Sequence, residues 1–171
     1  MDQEMFRQAY QAINERFCPY EKTLLTRNGD CARAERFCIA EREGVRCNDD
    51  AAQARCEAFL ALARQNARFA LKATDQRTAL PHAKAMRVQV GGLRGLQVAL
   101  TPDQPPPGRI PDIDRLLNQA LDRFGDLASA PFQPIIQQIA AFQGRKRSVV
   151  LGPKSSPPKP PHSGPGSGPR A

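Results

Sequence analysis

Five cysteines, Cys18, Cys31, Cys38, Cys47 and Cys56, fall within 39 consecutive residues of a 171-residue chain, and the 115 residues after them contain none. Thiolates are soft metal ligands and nucleophiles, so a concentration of this kind points to metal–thiolate or thiol–disulfide chemistry, against a plain role as small buried hydrophobes. The intervening lengths are 12, 6, 8 and 8 residues, and no Cys-x-x-Cys occurs. That removes the thioredoxin, zinc-ribbon and ferredoxin signatures.

Four chemistries remain, ranked by the residues available. First is an iron–sulfur cluster of the 4Fe–4S type held by Cys18, Cys31, Cys47 and Cys56, with Cys38 as a substitute ligand. Next come buried free thiols, then a thiol redox switch. Structural zinc ranks last, because the two histidines, His82 and His162, are both distant in sequence. A stable disulfide framework fits poorly with an odd count in a chain read as cytoplasmic.

The elements that must position these thiols read as helices. Apolar residues Phe6, Ala9, Ile13 and Phe17 recur at helical spacing, and Pro19 ends that segment and opens a short second helix through Leu25. Asp30 and Gly44 read as the cap and stop of a third helix, residues 31–43, with a thin apolar face. Its Glu35, Glu41, Glu43, Arg33, Arg36 and Arg42, with Arg46 just beyond, then read as helix-surface ion pairs. A longer helix follows Asn48 as N-cap and runs to about Lys72, burying Ala52, Cys56, Phe59, Leu60, Ala63, Ala67, Ala70 and Leu71. On this map Cys18, Cys31 and Cys47 sit near helix starts, where the dipole favours thiolate, and are the expected acidic thiols. Cys31 and Cys38 stand about 10.5 Å apart along one helix, too far for a disulfide.

The second half continues the pattern. Residues 82–100 alternate briefly like a strand, but Met86, Val90, Leu93, Leu96 and Leu100 fit the longer helical period, and a helix is predicted. Gly91, Gly92 and Gly95 within it imply close backbone packing or a local break. A proline-rich connector spans 101–110, and helices are predicted from Ile113 to Phe124, stopped by Gly125, and from near Pro131 to Phe142. The fold class expected is therefore all-α, a small bundle of five to seven helices. Its domain spans 1–143, with a cysteine-bearing half at 1–73 and a second half at 81–143. Residues 144–171 read as a disordered Pro/Gly/Ser-rich basic tail.

Charge narrows the partners. The chain carries a formal net charge of +8, but residues 144–171 supply six of the basic side chains and no acid, leaving nineteen basic against seventeen acidic residues in the body. A nearly neutral body with a basic tail does not make a nucleic-acid-reading face. The candidate anion contacts are Arg64, Arg68 and Lys72, spaced along one expected helix face, and Arg145, Lys146 and Arg147 in the tail. No Ser, Cys or Asp accompanies a histidine in a catalytic order, so the reading leans away from an enzyme. The N-terminal Met-Asp-Gln-Glu-Met-Phe-Arg lacks a signal-peptide pattern, and no long apolar run occurs, so a cytoplasmic protein without a membrane span is expected. Two functions follow. One is an iron–sulfur accessory protein for electron transfer or redox sensing. The other is a metal-free helical adaptor that binds a protein or, more weakly, nucleic acid.

Overall fold

The computed structural model describes residues 2–73, 75 and 77–144. Along the chain run α1 (Gln3–Ile13), α2 (Glu21–Leu25), β1 (Ala34–Ile39), β2 (Arg42–Cys47) and α3 (Asp50–Asn66). Then come α4 (His82–Met86), a π-helical turn (Arg87–Gly91), α5 (Gly92–Leu100), α6 (Ile113–Phe124) and α7 (Phe132–Ala141). The fold is mostly helical but not all-α, because β1 and β2 form an antiparallel hairpin where a third helix was expected. Residues 145–171 of the expected tail, with Arg145, Lys146 and Arg147, lie outside the described residues.

The hairpin has a physical reason. Phe37, Ile39 and Val45 suit a pleated surface better than a helix, and the expected helix had little apolar face to bury. Its two-residue turn is Ala40-Glu41, with Ala40 at φ 53°, a left-handed conformation normally given to Gly or Asn. Gly44 is not a helix stop: it lies opposite Phe37, whose ring would be only 2.4 Å from any Cβ placed there. The charged residues pair across strands instead of along a helix, Arg46 with Glu35 at 2.8 Å and Arg36 with Glu43 at 3.7 Å. Both pairs are exposed and add little stability.

Asp49, not Asn48, caps α3, its carboxylate accepting from the Ala52 N–H at 2.7 Å. The helix ends at Asn66, short of Lys72, which adopts φ 50° in the turns that follow. The apolar stripe nevertheless falls where periodicity puts it, with Ala52, Cys56, Phe59 and Ala63 buried along α3 and Ala67 and Leu71 beyond it. The span 82–100 is helical throughout, interrupted by the wider π turn. Arg87 in that turn donates to the carbonyls of Ile139 and Ala140, both at 3.0 Å, satisfying the open end of α7.

Gly91, at the end of the π turn, and Gly95 in α5 explain how this stretch and α7 meet. A Cβ on Gly95 would lie 2.3 Å from the Cα of Ile135, and one on Gly91 would lie 2.7 Å from the Cα of Ile139. The two backbones are in direct contact at these points, with Ile135 and Ile139 fully buried. No helix among the described residues is long and apolar enough to cross a membrane.

Candidate functional site

A set of hydrogen bonds brings distant cysteines together. The segment before α2 runs beside β2: the Cys18 N–H donates to the Val45 carbonyl at 3.1 Å, and the Cys47 N–H donates to the Arg16 carbonyl at 2.8 Å. Glu21 reinforces this, accepting from the Val45 N–H at 2.8 Å. Cys31 sits in the loop before β1, and that loop is tied to α6 by Asp112, which accepts from the Ala32 N–H at 3.1 Å while also capping α6 at the Asp114 N–H. The proline-rich connector reaches this point through Ile110, which exchanges backbone hydrogen bonds with Asn28 and Asp30. Cys56 arrives from the inner stripe of α3.

The result is one enclosed void lined by Cys18, Cys31, Cys47 and Cys56 together with Pro19, Tyr20, Ala34 and Ile113. It is small, about 10 Å³, the room of a single water. Cys18, Cys47 and Cys56 are buried and Cys31 is half-buried, and all five cysteines are free thiols. Among the described residues no group of three or more His, Cys, Asp or Glu side chains is arranged to hold a metal ion. Cys38 is exposed on the hairpin, opposite Glu43, and does not line the void. The expectation that Cys31 and Cys38 share a helix is therefore overturned.

The same correction applies to thiol acidity. Cys31 precedes a strand, so no helix dipole stands behind it, and α2, which follows Cys18, is only five residues long. Burial pushes the Cys18 thiol up to about 12, partly opposed by the Tyr20 N–H directed at its sulfur. Burial also raises Cys31, against the N–H groups of Arg33 and Asp114. Cys56 is raised by burial first and then by the proximity of Cys18, Cys31 and Cys47. The Cys47 thiol donates to the Asp49 carbonyl at 3.2 Å. Cys18, Cys31 and Cys56 are therefore held as neutral thiols, because burial penalises the thiolate.

A pH dependence follows. Unfolded cysteines ionise near pH 8.5, whereas Cys18 in the fold holds its proton to about 12. The folded chain therefore binds more protons than the unfolded one in that interval, and its stability, complete below about pH 8.5, declines as pH rises toward 12. Urea unfolding of the metal-free protein should give a lower midpoint at about pH 10 than at pH 7, with a smaller difference in Cys18→Ala. An unchanged difference in Cys18→Ala would contradict the assignment.

Charged groups at the edge of the void were not anticipated from sequence. Asp114, nearly buried, lines it and accepts from two guanidiniums, Arg55 at 2.9 Å and Arg33 at 3.3 Å. Nothing in the spacing signals this, since the partners lie 59 and 81 residues away. The other anticipated contacts are dispersed. Arg64 donates to the carbonyls of Asp75 and Thr78, Arg68 stacks over Phe69, and Lys72 gives its own carbonyl to Lys84. These three do not form a common anion-binding face on one helix, because α3 ends before Arg68. No family model, curated protein or solved structure matches this chain.

Proposed function

We propose that Cys18, Cys31, Cys47 and Cys56 hold an iron–sulfur cluster, and that the protein is a small cytosolic accessory factor for electron transfer or redox sensing. The observation that carries this reading is convergence: four thiols from four separate stretches of chain line one buried void, none in a disulfide, while the fifth stays outside.

The choice of cluster over single ion rests on the all-thiol ligand set. Tetrahedral zinc needs four ligands each about 2.0–2.3 Å from one centre, and the two histidines that often complete such sites lie far from these thiols in sequence. A four-iron cube separates its ligands more widely. Seating it requires Cys47 to release the Asp49 carbonyl and the half-buried Cys31 loop to give way. Metal charge then offsets the cost of four thiolates, which the fold alone cannot carry. The N–H groups facing Cys18 and Cys31 supply the hydrogen bonds that anionic sulfur needs.

A protein partner suits such a role, with Cys31 as the most exposed of the four ligands and the natural point of electron entry. The metal-free adaptor remains the second reading, favoured by an open groove of about 860 Å³ that includes Phe6, Tyr10 and Leu25 between α1, α2 and the hairpin. Nucleic acid fits either reading less well, given the dispersal of Arg64, Arg68 and Lys72. Purification without oxygen, followed by reconstitution with iron and sulfide, separates the two functions. A cluster protein turns brown, with a broad visible absorption that bleaches on reduction. An adaptor stays colourless and titrates as five free thiols.

A further inference from the structure

Successive residues of an antiparallel strand direct their N–H and C=O groups to opposite edges, so the bonds made on one edge fix what faces the other. In β2, Val45 and Cys47 turn away from β1: the Val45 carbonyl accepts from Cys18, the Val45 N–H donates to Glu21, and the Cys47 N–H donates to Arg16. Their ladder partners, Arg36 opposite Val45 and Ala34 opposite Cys47, therefore turn away from β2 as well. Cys38, opposite Glu43, follows in the same alternation, and the Asn48 N–H bonded to the Arg33 carbonyl fixes the same phase. The outer edge of β1 thus presents the N–H and C=O of Arg36 and Cys38, and no hydrogen bond among the described residues reaches them. Both residues are exposed. The far edge of the hairpin is closed by the segment around Phe17, whereas this edge is open.

Proteins blunt an open edge with Lys, Pro, a bulge or a covering element. Ala34–Ile39 contains no Lys or Pro and pairs one to one with β2 along its whole length. Its charges, Glu35 and Arg36, are already matched across the ladder by Arg46 and Glu43. The Phe37 ring leans over Gly44, toward β2, and leaves the edge clear. We propose that β1 pairs antiparallel with β1 of a second copy about a two-fold axis at Phe37, making one continuous sheet across two chains. In this register Arg36 faces the partner's Cys38, the two exchange both backbone bonds, and the axis repeats the exchange, so every open group of Arg36 and Cys38 is used. An axis at Arg36 would set like charges face to face, and one at Cys38 would set Arg36 against Ala40, whose φ of 53° is not extended. With the axis at Phe37 the two Arg36 side chains lie only on a diagonal, each held by its own Glu43 and Leu24 carbonyl. Such self-complementarity marks an isologous interface and selects a second copy over an unrelated peptide. The inference is independent of what the four void-lining cysteines hold.

Light scattering of the full chain, in reductant and without added metal, should show monomer at low-micromolar concentration and dimer approaching millimolar. Amide exchange followed by NMR should show Arg36 and Cys38 gaining about tenfold protection or more over that range, while Glu35 and Phe37, bonded to β2, are protected throughout. Cys38→Pro deletes an outward donor and no bond to β2, so it should stay monomeric and, when dilute, melt close to wild type. Cys38 is the one exposed cysteine. Across the axis the two Cys38 would stand on a diagonal about 7–8 Å apart, too far for a disulfide, and a short bifunctional maleimide should join them. A chain that stays monomeric near millimolar concentration, or a dimer whose Arg36 and Cys38 amides exchange as fast as in the monomer, would overturn the proposal. Protection of those amides in a monomer at every concentration would also overturn it, assigning the edge to another part of the same chain.

Discussion

Replacing any one of Cys18, Cys31, Cys47 or Cys56 by Ser is expected to cut the iron retained through gel filtration by at least about tenfold. Loss of an outer-shell partner already weakens metal sites about 10- to 100-fold, and loss of a ligand costs no less. Cys38→Ser should retain iron at the wild-type level and change stability by no more than about 0.5 kcal/mol, because Cys38 is exposed on the hairpin away from the void. The contrast separates coordination from packing. If these thiols were only small hydrophobes, Cys→Ala at the three buried positions would weaken the fold and Cys31→Ala would do less. A ligand set predicts that Cys31 matters for iron as much as the others despite its partial exposure. Equal iron in all five variants would sink the assignment.

Gly95→Ala should be the most damaging single-methyl change in the second half of the chain. The added carbon would stand 2.3 Å from the Ile135 Cα, a backbone atom that cannot rotate away, so α5 and α7 must separate. Overpacking of this kind costs about 1–3 kcal/mol, occasionally more, against roughly 1 kcal/mol gained in helix propensity. A backbone clash lies at the upper end, and a net loss of about 2 kcal/mol would lower Tm by on the order of 5 °C or more. Gly92→Ala is the matched control. Its new carbon would meet only side-chain atoms of Ala63, Ile139 and Phe59, at 3.7 to 3.9 Å, so propensity should leave stability unchanged or slightly higher. Thermal melts of the two variants check this, and equal melting temperatures would contradict the close approach of α5 and α7.

That Cys18, Cys31, Cys47 and Cys56 belong together, apart from Cys38, was legible in the sequence, whereas most of the elements that carry them were not. Cys56 follows from periodicity alone, because the α3 stripe is long enough for the 3.6-residue repeat to be unmistakable. The residues around Cys31 and Cys47 misled for a local reason. Arg and Glu occupy both strands densely enough to mimic helical charge pairing, and the hairpin turns on Ala40-Glu41 in place of Asn-Gly, so the usual marker is missing. Convergence of the four thiols then depends on contacts no spacing encodes: Cys18 running beside β2, and Asp112 holding the Cys31 loop from the far end of the chain. Asp114 between Arg33 and Arg55 was invisible for the same reason. Gly91, Gly92 and Gly95 were legible as a sign of close packing, but the partner of Gly91 and Gly95, α7, was not.

The proposed iron–sulfur cluster on Cys18, Cys31, Cys47 and Cys56 is tested most directly by measuring iron and acid-labile sulfide per chain in protein prepared without oxygen. The account predicts about four of each for a cubane. Protein that stays colourless after reconstitution with iron and sulfide, with all five thiols titrating as free or with one zinc per chain in place of iron, would contradict it.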